Sequence, residues 1–142
     1  MMARSVQCDI VSVEKSLFSG LVEQVVASGV EGELGIRPGH APLLTQLAPG
    51  PVELRLEDGR EEVLYVSGGF LEVQPNMISI LADSAIRAKD IDEAEAKRAR
   101  ERAEQRKKDK VDDVNFSKAL SDIAKANARL RTLQVFKQKQ KH

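Results

Sequence analysis

All nine glycines and all five prolines of the chain fall within its first 75 residues. After Lys89 there is neither a residue that frees the backbone nor one that locks it, and the stretch is rich in Ala, Lys, Arg and Glu. Turn residues at short intervals permit only short elements, whereas 53 residues without a breaker favour long helices. The chain therefore divides into two parts of different secondary structure, residues 1–88 and residues 89–142.

In the first part, VQCDIVSV, LVEQVVAS, VELRLEDG, EEVLYVSG, FLEVQ and MISILAD are β-branched and aliphatic runs. Ser-Gly, Ala-Pro-Gly-Pro, Asp-Gly, Gly-Gly and Pro-Asn separate them, and Asp58-Gly59 has the form of a hairpin turn. Short strands at this spacing predict an antiparallel β-sandwich or flattened barrel. Aromatic residues are only 4% of the chain, so its core must be aliphatic. In the second part Asp90, with Glu93 three residues on, resembles a capping box, and the helical pattern weakens at residues 110–115. Two antiparallel helices joined near Val111 to Asn115 are expected. Ala96, Ala99 and Ala103 form a stripe of small residues on the first. On the second, Phe116, Leu120, Ile123 and Leu130 share a face, with Ala119, Ala126 and Leu133 at its shoulder. Lys118, Lys125 and Arg129 fall opposite, as a basic back.

The formal net charge is zero, but the average hides a gradient. Residues 1–88 carry 6 basic and 12 acidic side chains, while residues 115–142 carry 7 basic and one acidic, Asp122. A basic final helix raises two alternatives, a nucleic-acid-binding tail or an arm for an acidic protein surface. The acidic first part and the lack of stacking aromatics speak against nucleic acid. No run approaches the ~18 apolar residues of a membrane span, and MMARSVQCDIVSV lacks the plan of a signal peptide, so no direct membrane insertion is expected. The single cysteine, Cys8, sits in an alternating run and reads as a buried strand thiol.

The densest group of special residues is GELGIRPGHAPLLT, residues 32–45. It lacks the Lys-Ser/Thr pair that a phosphate loop places after its glycines, and its turns lie among strands rather than before a helix. His40 has no partners for a metal, since the other histidine is His142 and the lone cysteine lies in a strand. Ser67, His40 and Asp83 have no spacing that marks a catalytic triad. The residues thus offer no basis for an enzyme active site, a metal centre or a cofactor. What remains is a rigid exposed corner presenting Glu31, Glu33, Arg37 and His40.

GELGIRPGHAPLLT, YVSGGFLEVQPN (residues 65–76) and ILADSAIRAKDIDEAEA (residues 80–96), with FSGLVEQV before them, resemble in order and spacing the epsilon subunit of bacterial F-type ATP synthases. The similarity extends over essentially the whole chain. It implies a non-catalytic rotor subunit of the proton-translocating enzyme, with partners in the gamma subunit, the c-ring and the catalytic alpha and beta subunits. Its expected place is peripheral, at the cytoplasmic face of the bacterial inner membrane, because a mitochondrial counterpart would carry a transit peptide. By motif, Glu31, Gly32 and Glu33 would face the c-ring loops, and His40, Ala41, Pro42 and Leu43 would lie toward gamma. The hairpin would brake ATP hydrolysis through Phe116, Lys118, Leu120, Ile123, Lys125, Arg129 and Leu130. Some family members bind ATP through a motif of Ile or Leu, Asp, two variable residues, Arg and Ala. Here Ile91, Asp92 and Ala96 match, but Glu95 stands at the Arg position, where a carboxylate repels phosphate and can only accept hydrogen bonds. Lys97, Arg98 and Arg100 are the nearby alternatives as phosphate ligands.

Overall fold

The structure, a computed structural model, describes residues 4–109 and 112–141. Lys110 and Val111, the second of them in the expected interhelical link, lie outside the described residues. The strands among them are β1 (Val6–Ser12), β2 (Ser16–Gly29), β3 (Gly32–Ile36), β4 (Leu43–Leu47), β5 (Gly50–Leu56), β6 (Glu61–Val66), β7 (Gly69–Gln74), β8 (Met77–Ala82) and β9 (Ala85–Arg87). A 3₁₀ turn, Ala88–Asp90, leads into α1 (Glu93–Asp109) and α2 (Asp113–Gln140). The predicted β-sandwich followed by two helices is the observed architecture.

The 14-residue β2 organises the sandwich. It pairs with β1 through its first half and with β5 and β3 through its second. The ladder runs β1-β8-β7-β4-β2 and returns to β1, which closes a flattened ring, and β5, β6 and β9 continue outward from β2. The pairings are antiparallel except that of β1 with β8, which is parallel. Alternation sets which side chains meet inside: Val6, Cys8 and Ile10 of β1 are buried while Gln7, Asp9 and Val11 face outward. With Val22, Val25, Ile36, Leu54, Leu64, Leu71, Ile78 and Ile80 they form an aliphatic core. Each such side chain contributes about 1.5–3 kcal/mol relative to exposure. Burial, with Asp9 beside it, pushes the Cys8 thiol up to about 12, so it is inert at neutral pH.

β6 breaks the alternation. Val63, Leu64, Tyr65 and Val66 are all buried, although only Leu64 and Val66 belong to the core. Val63 and Tyr65 lie on the outer face, beneath α2, which packs across β5, β6 and the 3₁₀ turn. Pro51, the register partner of Tyr65, is buried there too.

The helix start differs from expectation. Asp90 ends the 3₁₀ turn, and the carboxylate that caps α1 is Asp92, which accepts a hydrogen bond from Glu95 N at 3.1 Å. Asp112 caps α2, accepting from Asn115 N at 2.8 Å, so Asn115 belongs to the helix rather than to the link. Ion pairs Arg106–Asp122 (2.8 Å) and Lys137–Glu93 (3.0 Å) set the antiparallel register, which brings Ala103 opposite Ala126 and Ala96 opposite Leu133. Ala96, Ala103, Ala119, Ala126 and Leu133 are all buried.

Candidate interaction surfaces

One outer face of the sandwich is covered by the hairpin, and the other is bare. On the bare face Val11 of β1 pairs in register with Leu81 of β8, and Leu81 with Phe70 of β7. Leu44 of β4 lies diagonal to Phe70, whose direct partner there is Gln46. These four side chains are exposed at 36, 54, 52 and 67%. A single exposed Leu is ordinary, but an in-register row across adjacent strands is a contiguous apolar surface of the kind that binds a protein. Reasoning on single runs misses it, because Val11, Leu81 and Phe70 lie in three separate segments that only strand register aligns.

The stretch GELGIRPGHAPLLT is not one corner. Gly32–Ile36 is a strand, so Glu31 and Glu33 stand at the β2–β3 tip while Arg37 to Pro42 form the loop at the other end. One strand length, ~16 Å, separates the two groups. At the tip Glu31, Gly32 and Glu33 are all exposed, and Gly32 takes φ +133, which a side chain rarely adopts. In the loop the His40 main-chain N donates to Arg37 O at 3.1 Å, and its ring Nδ1 donates to Ala41 O at 2.6 Å. The bond places a proton on Nδ1, since a carbonyl oxygen can only accept. Ala41 and Pro42 are exposed, but Leu43 packs against the core; the side chain offered to a partner at this point is Leu44. Ser67, His40 and Asp83 form no triad. The Ser67 hydroxyl bonds that of Ser84 at 2.8 Å and accepts from Ser84 N at 3.0 Å, tying two turns together.

Along α2 the structure reverses the expected weighting. The small shoulder residues Ala119, Ala126 and Leu133 are the buried seam, whereas Phe116, Ile123 and Leu130 are half-buried and Leu120 is 42% exposed. The basic back is divided as well. Lys118 is exposed and borders a groove of about 320 Å³ with Arg106, Asp109, Asn115 and Ala119, and Lys125 is half-buried. Arg129 instead lies over the Tyr65 ring, 6.0 Å from its centroid, a cation–π contact with the sandwich. Burial raises the Tyr65 phenol to about 12, and the Arg129 charge partly opposes that rise.

At the degenerate motif Ile91 is half-buried, Asp92 is engaged as the cap, and Ala96 is buried. Glu95 accepts from Arg102 at 2.9 Å and from Arg98 at 3.1 Å, and these bonds hold its carboxyl below the usual range. Arg98, one of the alternative phosphate ligands, is thereby occupied, and Lys97 is paired with Glu93 at 3.8 Å. Among the described residues no group of three His, Cys, Asp or Glu is placed to hold a metal ion. No described helix is long and apolar enough to cross a membrane.

Two family models divide the chain as its structure does. ATP synthase, Delta/Epsilon chain, beta-sandwich domain matches residues 5–88, and ATP synthase, Delta/Epsilon chain, long alpha-helix domain matches residues 89–134. The chain belongs to the ATP synthase delta/epsilon family. A relative within the family, the ATP synthase epsilon chain of Chromohalobacter salexigens, is 56% identical over 135 residues, covering 95% of this chain and 96% of the relative. As a delta/epsilon chain it is a structural and regulatory subunit, not a catalytic one. Among solved structures, a chain of the Euglena gracilis mitochondrial ATP synthase (OSCP, F1 and c-ring, rotational state 1) superimposes with a TM-score of 0.85 at 21% identity, over 94% of this chain and 84% of that one. A chain of the Tetrahymena thermophila mitochondrial ATP synthase central stalk and c-ring gives 0.62 at 18% identity, over 94% and 99%. At these identities the two likenesses speak to the delta/epsilon fold alone.

Proposed function

We propose that the chain is the rotor subunit that joins the gamma subunit to the c-ring through its sandwich, and that its hairpin restrains ATP hydrolysis when it leaves the sandwich. The observation that carries the first part is the bare row Val11–Leu81–Phe70 with Leu44 beside it. It fits the gamma subunit, because the His40–Pro42 loop leads into β4, the strand that carries Leu44 beside this row. The Glu31–Glu33 tip, one strand length away, fits basic residues of the c-ring loops; each exposed pair contributes only about 0–1 kcal/mol, so gamma supplies most of the affinity. The alpha and beta subunits would be met by Lys118 and Lys125, the part of the basic face that Tyr65 does not engage. No cofactor is needed for this role, and the occupied Glu95 cluster disfavours ATP. The working place is peripheral, on the cytoplasmic face of a bacterial inner membrane.

Gel filtration of the purified chain with purified gamma subunit tests the reading. A 1:1 complex is expected. Separate elution of two folded proteins would overturn it.

A further inference from the structure

We infer that Lys139 is an ionic latch, its ammonium shared between Glu53 and Glu61, that holds α2 on the sandwich and makes release of the hairpin respond to ionic strength. This inference rests on the reading that the hairpin leaves the sandwich, and it names the contact that governs the step.

Lys139 lies in the last turn of α2, 3.2 Å from Glu53 of β5 and 3.4 Å from Glu61 of β6. Among the described residues these are the ion pairs that cross from the hairpin to the sandwich. Arg106–Asp122 and Lys137–Glu93 join α2 to α1, so they travel with the hairpin and do not hold it down. Lys139–Glu53 is also the least exposed pair among the described residues, at 27 and 22%, and so is screened less than the others.

The rest of the contact holds no further ion pair among the described residues: α2 covers Val63, Tyr65 and Pro51 on the outer face of the sandwich. Ala128 and Thr132 are buried against the sheet side, but Thr132 Oγ1 spends its hydrogen bond on Ala128 O of its own helix, at 2.7 Å. Arg131 reaches Pro49 O at 3.2 Å and Arg129 lies over Tyr65, both with uncharged partners. The apolar part of the contact is little affected by salt, so the salt-sensitive part of the docking is the one ionic contact at the end of α2.

Release is also made easy on the sandwich side. Glu53 and Glu61 are like charges on one outer face, and Lys139 bridges them while offsetting one of the two charges. Arg55 already stands 3.6 Å from Glu61 and can take it over when Lys139 departs, so the acidic pair is not left wholly uncompensated. Docked and released states are thereby brought close in free energy, and added salt, which weakens the pair, tilts them toward release.

Amide hydrogen exchange of the full chain, read by NMR at Ala128, Thr132 and Leu133, tests this. Lys139→Gln keeps a good helix former and should accelerate exchange at the three amides by about two- to fivefold, the size expected of one partly exposed ion-pair cluster. Ile78 and Ile80 of the far sheet should be unaffected. Raising salt should accelerate the wild-type chain likewise and the variant much less. Glu53→Gln with Glu61→Gln should reproduce the effect from the other side, and combining all three should add little. Acceleration by Lys139→Gln that the glutamate variants do not reproduce would mean that Lys139 merely stabilises the helix end, and the latch would be overturned. So would unchanged exchange, or a Lys139→Gln chain whose sandwich fails to fold. Faster exchange without any change in ATP hydrolysis by the assembled enzyme would leave the latch standing and overturn the regulatory reading instead.

Discussion

Replacing Phe70 with Ala separates a partner surface from a structural one. Phe70 is 52% exposed on the outer face of β7, paired with Leu81, and lies outside the core. Aromatic side chains bury roughly 150–250 Å² when fully covered, so a partner that seals this row removes about 100 Å² of Phe70 from water. At ~25 cal/mol/Å² that is ~2.5 kcal/mol of gamma binding, or a rise in Kd of about 70-fold. The isolated chain loses almost nothing, because an outward side chain away from core contacts is usually worth within ~0.5 kcal/mol. Titration calorimetry against gamma measures the first quantity and a thermal melt the second. Unchanged gamma affinity in a Phe70→Ala chain that melts normally would refute the assignment of this face. A large drop in stability would instead mean that the row is part of the sandwich's own packing.

Gly69→Ala should be severe, since its Cβ would sit 2.1 Å from Leu81 O at φ +136, whereas Gly59→Ala, at φ +89 with nothing within 4 Å, meets strain alone. A loss of roughly 3 kcal/mol or more against ~1 kcal/mol is expected from melting curves, and equal losses would contradict the packing described. Cys8 and Tyr65 hold their protons more tightly folded than unfolded, so stability is full below pH ~9 and falls as pH rises toward about 12. Thermal melts at alkaline pH should show this, and Cys8→Ala should abolish the part that begins near pH 9 while the Tyr65 part, beginning near pH 10, persists. The chain should bind MgATP poorly, and Glu95→Arg should strengthen binding by adding a donor and freeing Arg98 and Arg102; low-micromolar affinity of the unaltered chain by calorimetry would contradict this.

The segregation of Gly and Pro made the two-part architecture legible, and runs such as VQCDIVSV and MISILAD marked β1 and β8 because their alternation is local. β3, β4 and β9 were not legible. GELGI spends two of five positions on glycine, LLTQL follows two prolines, and β9 is three residues long. The parallel pairing of β1 with β8 joins the two ends of the sandwich and has no local signature. For the same reason the Val11–Leu81–Phe70 row stayed hidden, although each residue was visible as an apolar position. Along α2 the periodicity correctly sorted residues by angle, but angle alone does not say which side meets a partner. The basic back docks on Tyr65 at Arg129, since α2 must satisfy α1 on one side and the sandwich on another.

Under the proposed function the sandwich attaches this subunit and the hairpin restrains hydrolysis. The most direct measurement is ATP hydrolysis, together with the amount of subunit incorporated, in complexes assembled with the full chain and with a chain lacking everything from Val114 onward. Equal incorporation and faster hydrolysis by the shortened form are expected. Loss of incorporation, or equal incorporation with an unchanged rate, would contradict the proposed function.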